Sequence, residues 1–187
     1  APSDAPAAAV QRPAVAAPQQ ANASSLALVR VAVAGDKREL LANLEAGQAP
    51  FEMVGTNENP DLVWDPASRE VLSGGDVISH DIDRSSVAAV IDRVAAVNGF
   101  KALAAKGPQT IRVLPNDKVH HREERVEVQV SALSNRALLL FNITGDGLVQ
   151  MLYPIGSDPR VITTPDYKFT VRVGEPLGAD QVVAITS

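Results

Sequence analysis

Apolar positions follow a mixed strand and helix rhythm up to residue 107 and an almost pure strand rhythm after it. The run Leu26–Gly35 (LALVRVAVAG) alternates as a strand does, and Gly35 ends it. Asp36 opens DKRELLANLEAG, where Glu39 stands as in a capping box, Leu40, Leu41 and Leu44 share one face, and Gly47 is the stop. This spacing predicts a short amphipathic helix. Brief strands are predicted at Phe51–Val54 and Leu62–Trp64. The second leads through Asp65-Pro66-Ala67-Ser68 into Glu70–Leu72, and Ser73-Gly74-Gly75-Asp76 turns the chain into Val77–Ile78, so the region reads as small β-hairpins. Val87, Val90, Ile91, Val94 and Val97 mark the strongest helix, capped by Ser85 or Ser86 and stopped by Gly107-Pro108. Asn98-Gly99 is a point where it can split, since an interior glycine costs about 1 kcal/mol relative to alanine.

From Thr110 onward six short segments, TIRV, RVEVQVSAL, ALLLFNI, LVQMLYP, KFTVRV and QVVAIT, are separated by Gly-, Asn- and Pro-bearing turns. Val126, Val128 and Val130 alternate with Glu127 and Gln129, which predicts a strand with one wet face. The fold expected is α+β. A C-terminal antiparallel, immunoglobulin-like β-sandwich over 108–187 packs with a smaller α/β segment of two helices over 26–107, and a Pro/Ala-rich disordered linker covers 1–25. The first twenty residues support that linker with four of the 13 prolines and eight alanines. They lack the charged n-region and apolar core of an intact signal peptide, while a mature N-terminus after signal removal is compatible with them.

Composition narrows the chemistry. With 17 Lys+Arg against 22 Asp+Glu and a net charge of -5, the chain lacks the basic face that phosphate-backbone binding requires, so nucleic acid is not an expected partner. The absence of cysteine removes thiolate catalysis, disulfides and cysteine metal sites. No run approaches about 18 consecutive apolar residues, so no membrane span is expected. His80-Asp81-Ile82-Asp83 places one imidazole and two carboxylates within four residues. That supplies two metal ligands on one strand face, short of a full zinc set, and the blander reading is a satisfied turn or surface histidine. His120 and His121 are adjacent and point to opposite faces of an extended chain. No G-x-S-x-G elbow and no nucleotide fingerprint occurs, and no cofactor is expected.

The most specific local pattern is ALLLFNITGDGLVQMLYPIG, Ala137 to Gly156. An aliphatic run into Leu140-Phe141-Asn142-Ile143, then Gly145-Asp146-Gly147, then Val149-Gln150-Met151-Leu152-Tyr153-Pro154, resembles the hallmark of the DUF4384 family, with Met151 where Leu is usual. Phe169-Thr170-Val171 and Gly174-Glu175-Pro176-Leu177-Gly178 are similar to that family's strand and turn before a closing strand, so the likeness covers about Thr110 to Ser187. Upstream, DLVWDPASREVLSGGDVISHDI is similar to the region that joins a caspase-like (peptidase C14) domain to DUF4384 in bacterial proteins. In physical terms Leu139 and Phe141 on one arm, and Val149, Met151 and Tyr153 on the other, alternate inward around a tight turn. Pro154 then ends the second arm. The motif is read as a folding signature with no chemistry of its own.

The resemblance implies a non-catalytic accessory region of a caspase-like cysteine peptidase, regulatory or substrate- or partner-binding. Its partner would be the caspase-like catalytic domain, in cis or after cleavage, or another protein. No catalytic residue carries over, because the nucleophilic cysteine is not in this sequence. The alternative is an independent secreted or periplasmic module that binds a protein or polymer at an exposed sheet edge. A periplasmic or secreted location is favoured over a cytoplasmic one.

Overall fold

The computed structural model describes residues 26–45, 47–116, 119–175 and 177–187. The linker expected over 1–25 lies outside the described residues. The strands are β1 (Val29–Val33), β2 (Phe51–Met53), β3 (Leu62–Asp65), β4 (Glu70–Ser73) and β5 (Asp76–Ser79), followed by the helix α1 (Val87–Ala104). Then come β6 (Ile111–Leu114), β7 (Arg125–Ser131), β8 (Arg136–Ile143), β9 (Val149–Tyr153), β10 (Val161–Ile162), β11 (Asp166–Arg172) and β12 (Gln181–Thr186). The chain is α+β and dominated by sheet, with one α-helix among the described residues.

The first sheet has the order β2-β1-β3-β4-β5. β1 lies between two parallel partners, β2 and β3, while β3, β4 and β5 run antiparallel. The predicted hairpins are therefore the last three strands only. The parallel centre requires two crossovers, which local turn signals do not encode. β1 is buried along nearly its whole length because parallel strands under crossovers have both faces covered.

The helix predicted from Asp36 is absent. Two 3-10 turns, Ala34–Asp36 and Arg38–Leu41, stand in its place. Gly35, Asp36 and Asn43 have positive φ, which a continuous α-helix cannot contain. The Asp36 carboxylate accepts from Arg38 Nε at 2.8 Å instead of capping a helix. Leu41 and Leu44 still reach the core, so the apolar spacing was satisfied by a tighter turn. Gly47 has a different reason from the one expected. A Cβ there would stand 2.3 Å from Asp92 Oδ2, whose carboxylate accepts the N–H groups of Gln48 and Ala49.

α1 runs unbroken through Asn98-Gly99. Neither serine side chain caps it. Asp83 instead accepts from the Ser86 N–H at 3.1 Å and the Ser85 hydroxyl at 2.5 Å. Val87, Val90, Ile91, Val94 and Ala95 pack onto the first sheet, together with Val31, Val33, Leu62, Trp64 and Val71. Its other side, Val97 and Phe100, packs against Phe141, Ile143 and Val183 of the next sheet. A helix that is apolar nearly all round is buried on two sides.

That next sheet has β8 at its centre, with β12 on one side and β9 and β10 sharing the other. The remaining sheet, β11-β7-β6, lies over its far face. Val128 and Val130 from β7 share one core with Leu138, Leu140, Tyr153 and Ile162, and Tyr167 and Phe169 pack against it. The predicted alternation of β7 is realised, with Val126, Val128 and Val130 buried and Glu127 on the wet face pairing with Lys168 at 3.4 Å. The short strand β10 was not anticipated, because two residues carry no readable period.

Two glycines test this packing. A Cβ on Gly99 meets open space, so Gly99→Ala is expected to stabilise the chain by about 0.5–1 kcal/mol. Gly47→Ala should destabilise it by about 1–3 kcal/mol through overlap with the Asp92 carboxylate. Urea unfolding midpoints of both variants measure the difference.

Candidate docking face on the central sheet

β8 is a near-continuous apolar run because both its faces are covered. Leu138 and Leu140 point into the core shared with the β11-β7-β6 sheet, and Phe141 and Ile143, with Leu139 packed against them, point toward α1. The rings of Phe100 and Phe141 meet edge to face with centroids 5.6 Å apart. Register then extends the α1-facing rows sideways. Val149 lies opposite Ile143 and Met151 opposite Phe141 on β9, and Ile185 lies opposite Leu139 on β12. Those positions are left open. Val149 is 58% exposed, Met151 50% and Ile185 44%, so the apolar face is wider than the helix that covers it.

A bulge aims the second arm of the hairpin. Phe141 pairs with Met151 but Leu140 pairs with Tyr153, leaving Leu152 as the extra residue. The inward alternation expected for Val149, Met151 and Tyr153 is thereby broken. Tyr153 turns into the inter-sheet core, its hydroxyl donating to the Pro159 carbonyl and its ring 4.6 Å from that of Tyr167, whereas Val149 and Met151 stay on the open face. Leu152 packs partly against the same core as Tyr153. Pro154, Met151, Leu139, Ala137 and Ile185 border an open groove of about 370 Å³, and Arg160 stands at its rim.

Gly145-Asp146-Gly147 is more than a hairpin turn. Gly147 has φ +96, as expected, but Gly145 is required for space, since a Cβ there would stand 2.2 Å from the Ile78 carbonyl oxygen. The Thr144 hydroxyl donates to Asp146 and accepts from the Leu148 N–H at 3.0 Å. Arg93 on α1 is buried at 7% exposure and donates Nε to the Thr144 carbonyl at 2.9 Å and Nη2 to the Ala179 carbonyl. Asn142 Nδ2 donates to Asp180 Oδ2 at 2.8 Å. Burial raises the Asp180 carboxyl above its ordinary value although the residue reaches solvent, and the hydrogen bonds from Asn142 and the Gly145 N–H and the charge of Arg93 act against that rise. Arg93 and Asp180 escaped the sequence reading. The available signal was that position 93 falls three residues after Val90 and four before Val97, inside an apolar stripe.

The proposed metal candidates do not converge. His80 Nδ1 is 3.2 Å from Glu70 Oε1. Asp81 faces Arg69 at 3.9 Å, and Asp83 is engaged by Ser85 and Ser86, whose hydrogen bonds hold its carboxyl below the ordinary value. His120 Nδ1 lies 3.2 Å from Glu124, which also accepts the His121 N–H. Among the described residues no three His, Asp or Glu side chains form a metal-sized group. Among them, too, no helix is long and apolar enough to cross a membrane. No protein-family model, curated protein or solved structure matches this chain.

The face can be separated from the core by substitution. Met151→Lys and Ile185→Lys should each change unfolding free energy by no more than about 0.5 kcal/mol, and Phe141→Ala should cost about 3–5 kcal/mol; urea titration distinguishes them.

Asp180 predicts a pH effect of definite sign. A raised folded-state pKa gives stability that is full below the unfolded value and is lost as pH rises through the raised one. Asp65, Asp83, Glu124 and Glu127 are lowered and act oppositely, at lower pH. Melting temperature measured from about pH 4 upward should therefore fall less in Asp180→Asn than in the parent chain.

Proposed function

We propose that this chain is a non-catalytic binding module, the accessory region of a caspase-like cysteine peptidase, and that it holds a polypeptide on the uncovered half of the β9-β8-β12 face. The observation that carries the binding role is the exposure of Val149 and Met151 in the very hairpin whose Leu-Tyr-Pro pattern resembles DUF4384. These two belong to the motif and adjoin one another on an uncovered apolar stretch of sheet, the arrangement that marks an interaction surface. The cysteine-free sequence supports the non-catalytic part, because the nucleophile of such a peptidase would stand elsewhere. Two sheets with a common core support the finer reading of an immunoglobulin-like sandwich. A periplasmic or secreted site of action belongs to the same proposal.

Two measurements test it. The purified chain should cleave no peptide substrate, and turnover that a point substitution abolishes would contradict the reading. The reading frame upstream of Ala1 should encode a caspase-like domain with its His and Cys. A signal peptide directly before Ala1 would instead identify an independent secreted binding module.

A further inference from the structure

An edge strand presents unpaired N–H and C=O groups, and natural edges are shortened, charged or bent to repel other strands. The edges of this molecule are unequally guarded. β2 has three residues and carries Glu52, β6 has four and carries Arg112, and β11 carries Asp166, Lys168 and Arg172. β5 carries Asp76, β10 has only two residues, and β12 is uncharged with a single exposed residue, Ile185. β9, VQMLY, is uncharged, pairs only with β8, and exposes its first three residues. Met151 and Pro154 of this hairpin border a groove that Arg160 also lines, and Arg160 forms no ion pair among the described residues.

We infer that the ligand of this face is an extended peptide that adds to β9 as a new strand, lays alternate apolar side chains beside Val149 and Met151, and sets a carboxylate against Arg160. The inference rests on the binding role proposed above and names the ligand for it. A strand added about 4.8 Å outside β9 puts every second side chain on the α1-facing side, where it prolongs the rows Ile143–Val149 and Phe141–Met151. The bulge at Leu152 ends the flat stretch, so the recognised core is short. Pro154 and Arg160 both border the groove, which places the acidic residue at the Pro154 end of the added strand. A carboxylate satisfies the cation there, and the polar side chains of the peptide face water.

The test is selection of a displayed library of random heptapeptides on the purified full chain, followed by fluorescence anisotropy with the most enriched peptide. Expected are sequences with apolar residues at every second position and an Asp or Glu at one end. Affinity should fall at least tenfold in Met151→Lys and in Val149→Lys, and β9 amides should exchange more slowly with peptide bound. Arg160→Glu should convert the enriched acid to Lys or Arg, with all three variants melting close to the parent. Apolar spacing of three and four residues overturns the strand, an acid preference that survives Arg160→Glu overturns the carboxylate contact, and either result leaves the binding face standing. No enrichment, or binding indifferent to both lysine variants, overturns face and strand together. A dimer in sedimentation equilibrium that Met151→Lys dissociates assigns the face to a second copy and overturns the peptide ligand.

Discussion

The structure depends on one helix being buried from two directions. α1 gives Val87, Val90, Ile91 and Val94 to the first sheet and Val97 and Phe100 to the β8-centred sheet, so neither half of the described chain completes its core without it. Between those two apolar contacts sits Arg93, whose guanidinium would be costly to bury unpaired. It is retained because it donates to two carbonyls, of Thr144 and Ala179, that the closing loops of β8 and the approach to β12 would otherwise leave without those donors. The same junction is closed sterically by Gly145 and Gly178 around the Ile78 carbonyl, which also accepts the Ala179 N–H at 2.9 Å. Apolar burial supplies most of the stabilisation, and Arg93 fixes where the loops sit.

The open face follows from a mismatch of widths. Three strands about 4.8 Å apart present a broader apolar surface than one helix can shield, and the rows that start under α1 continue past it to Val149, Met151 and Ile185. The bulge sharpens the division of labour within one hairpin: Tyr153 is committed to the inter-sheet core and Met151 to the surface. The open face is thus lined by residues whose type suits a core and whose position denies them one.

The second half of the fold was the more legible in the sequence. β7 announced itself through strict alternation of valines with polar residues, and β8 through a continuous apolar run, because each period reports how many faces are covered. The first half was harder. Leu40, Leu41 and Leu44 have helical spacing that a 3-10 turn satisfies equally, and the parallel pairing of β1 with β2 and β3 depends on crossovers with no local signature. His80, Asp81 and Asp83 are close in sequence, but Glu70, Arg69 and the two serines each engage one of them. Of the open face, Leu139, Met151 and Pro154 were visible through the hairpin motif. Ile185 and Arg160 were not, since only sheet register and the β9–β10 connection bring them there.

The central claim is that the native chain keeps a formed apolar face open beside α1. Fluorescence of an apolar-surface dye titrated with the folded chain at neutral pH, while near-ultraviolet circular dichroism shows fixed packing, tests it most directly. The account predicts saturable binding at one site, abolished by a Met151→Lys, Ile185→Lys double variant that remains folded. Absence of binding to the native chain, or binding that persists unchanged in the double variant, would contradict it.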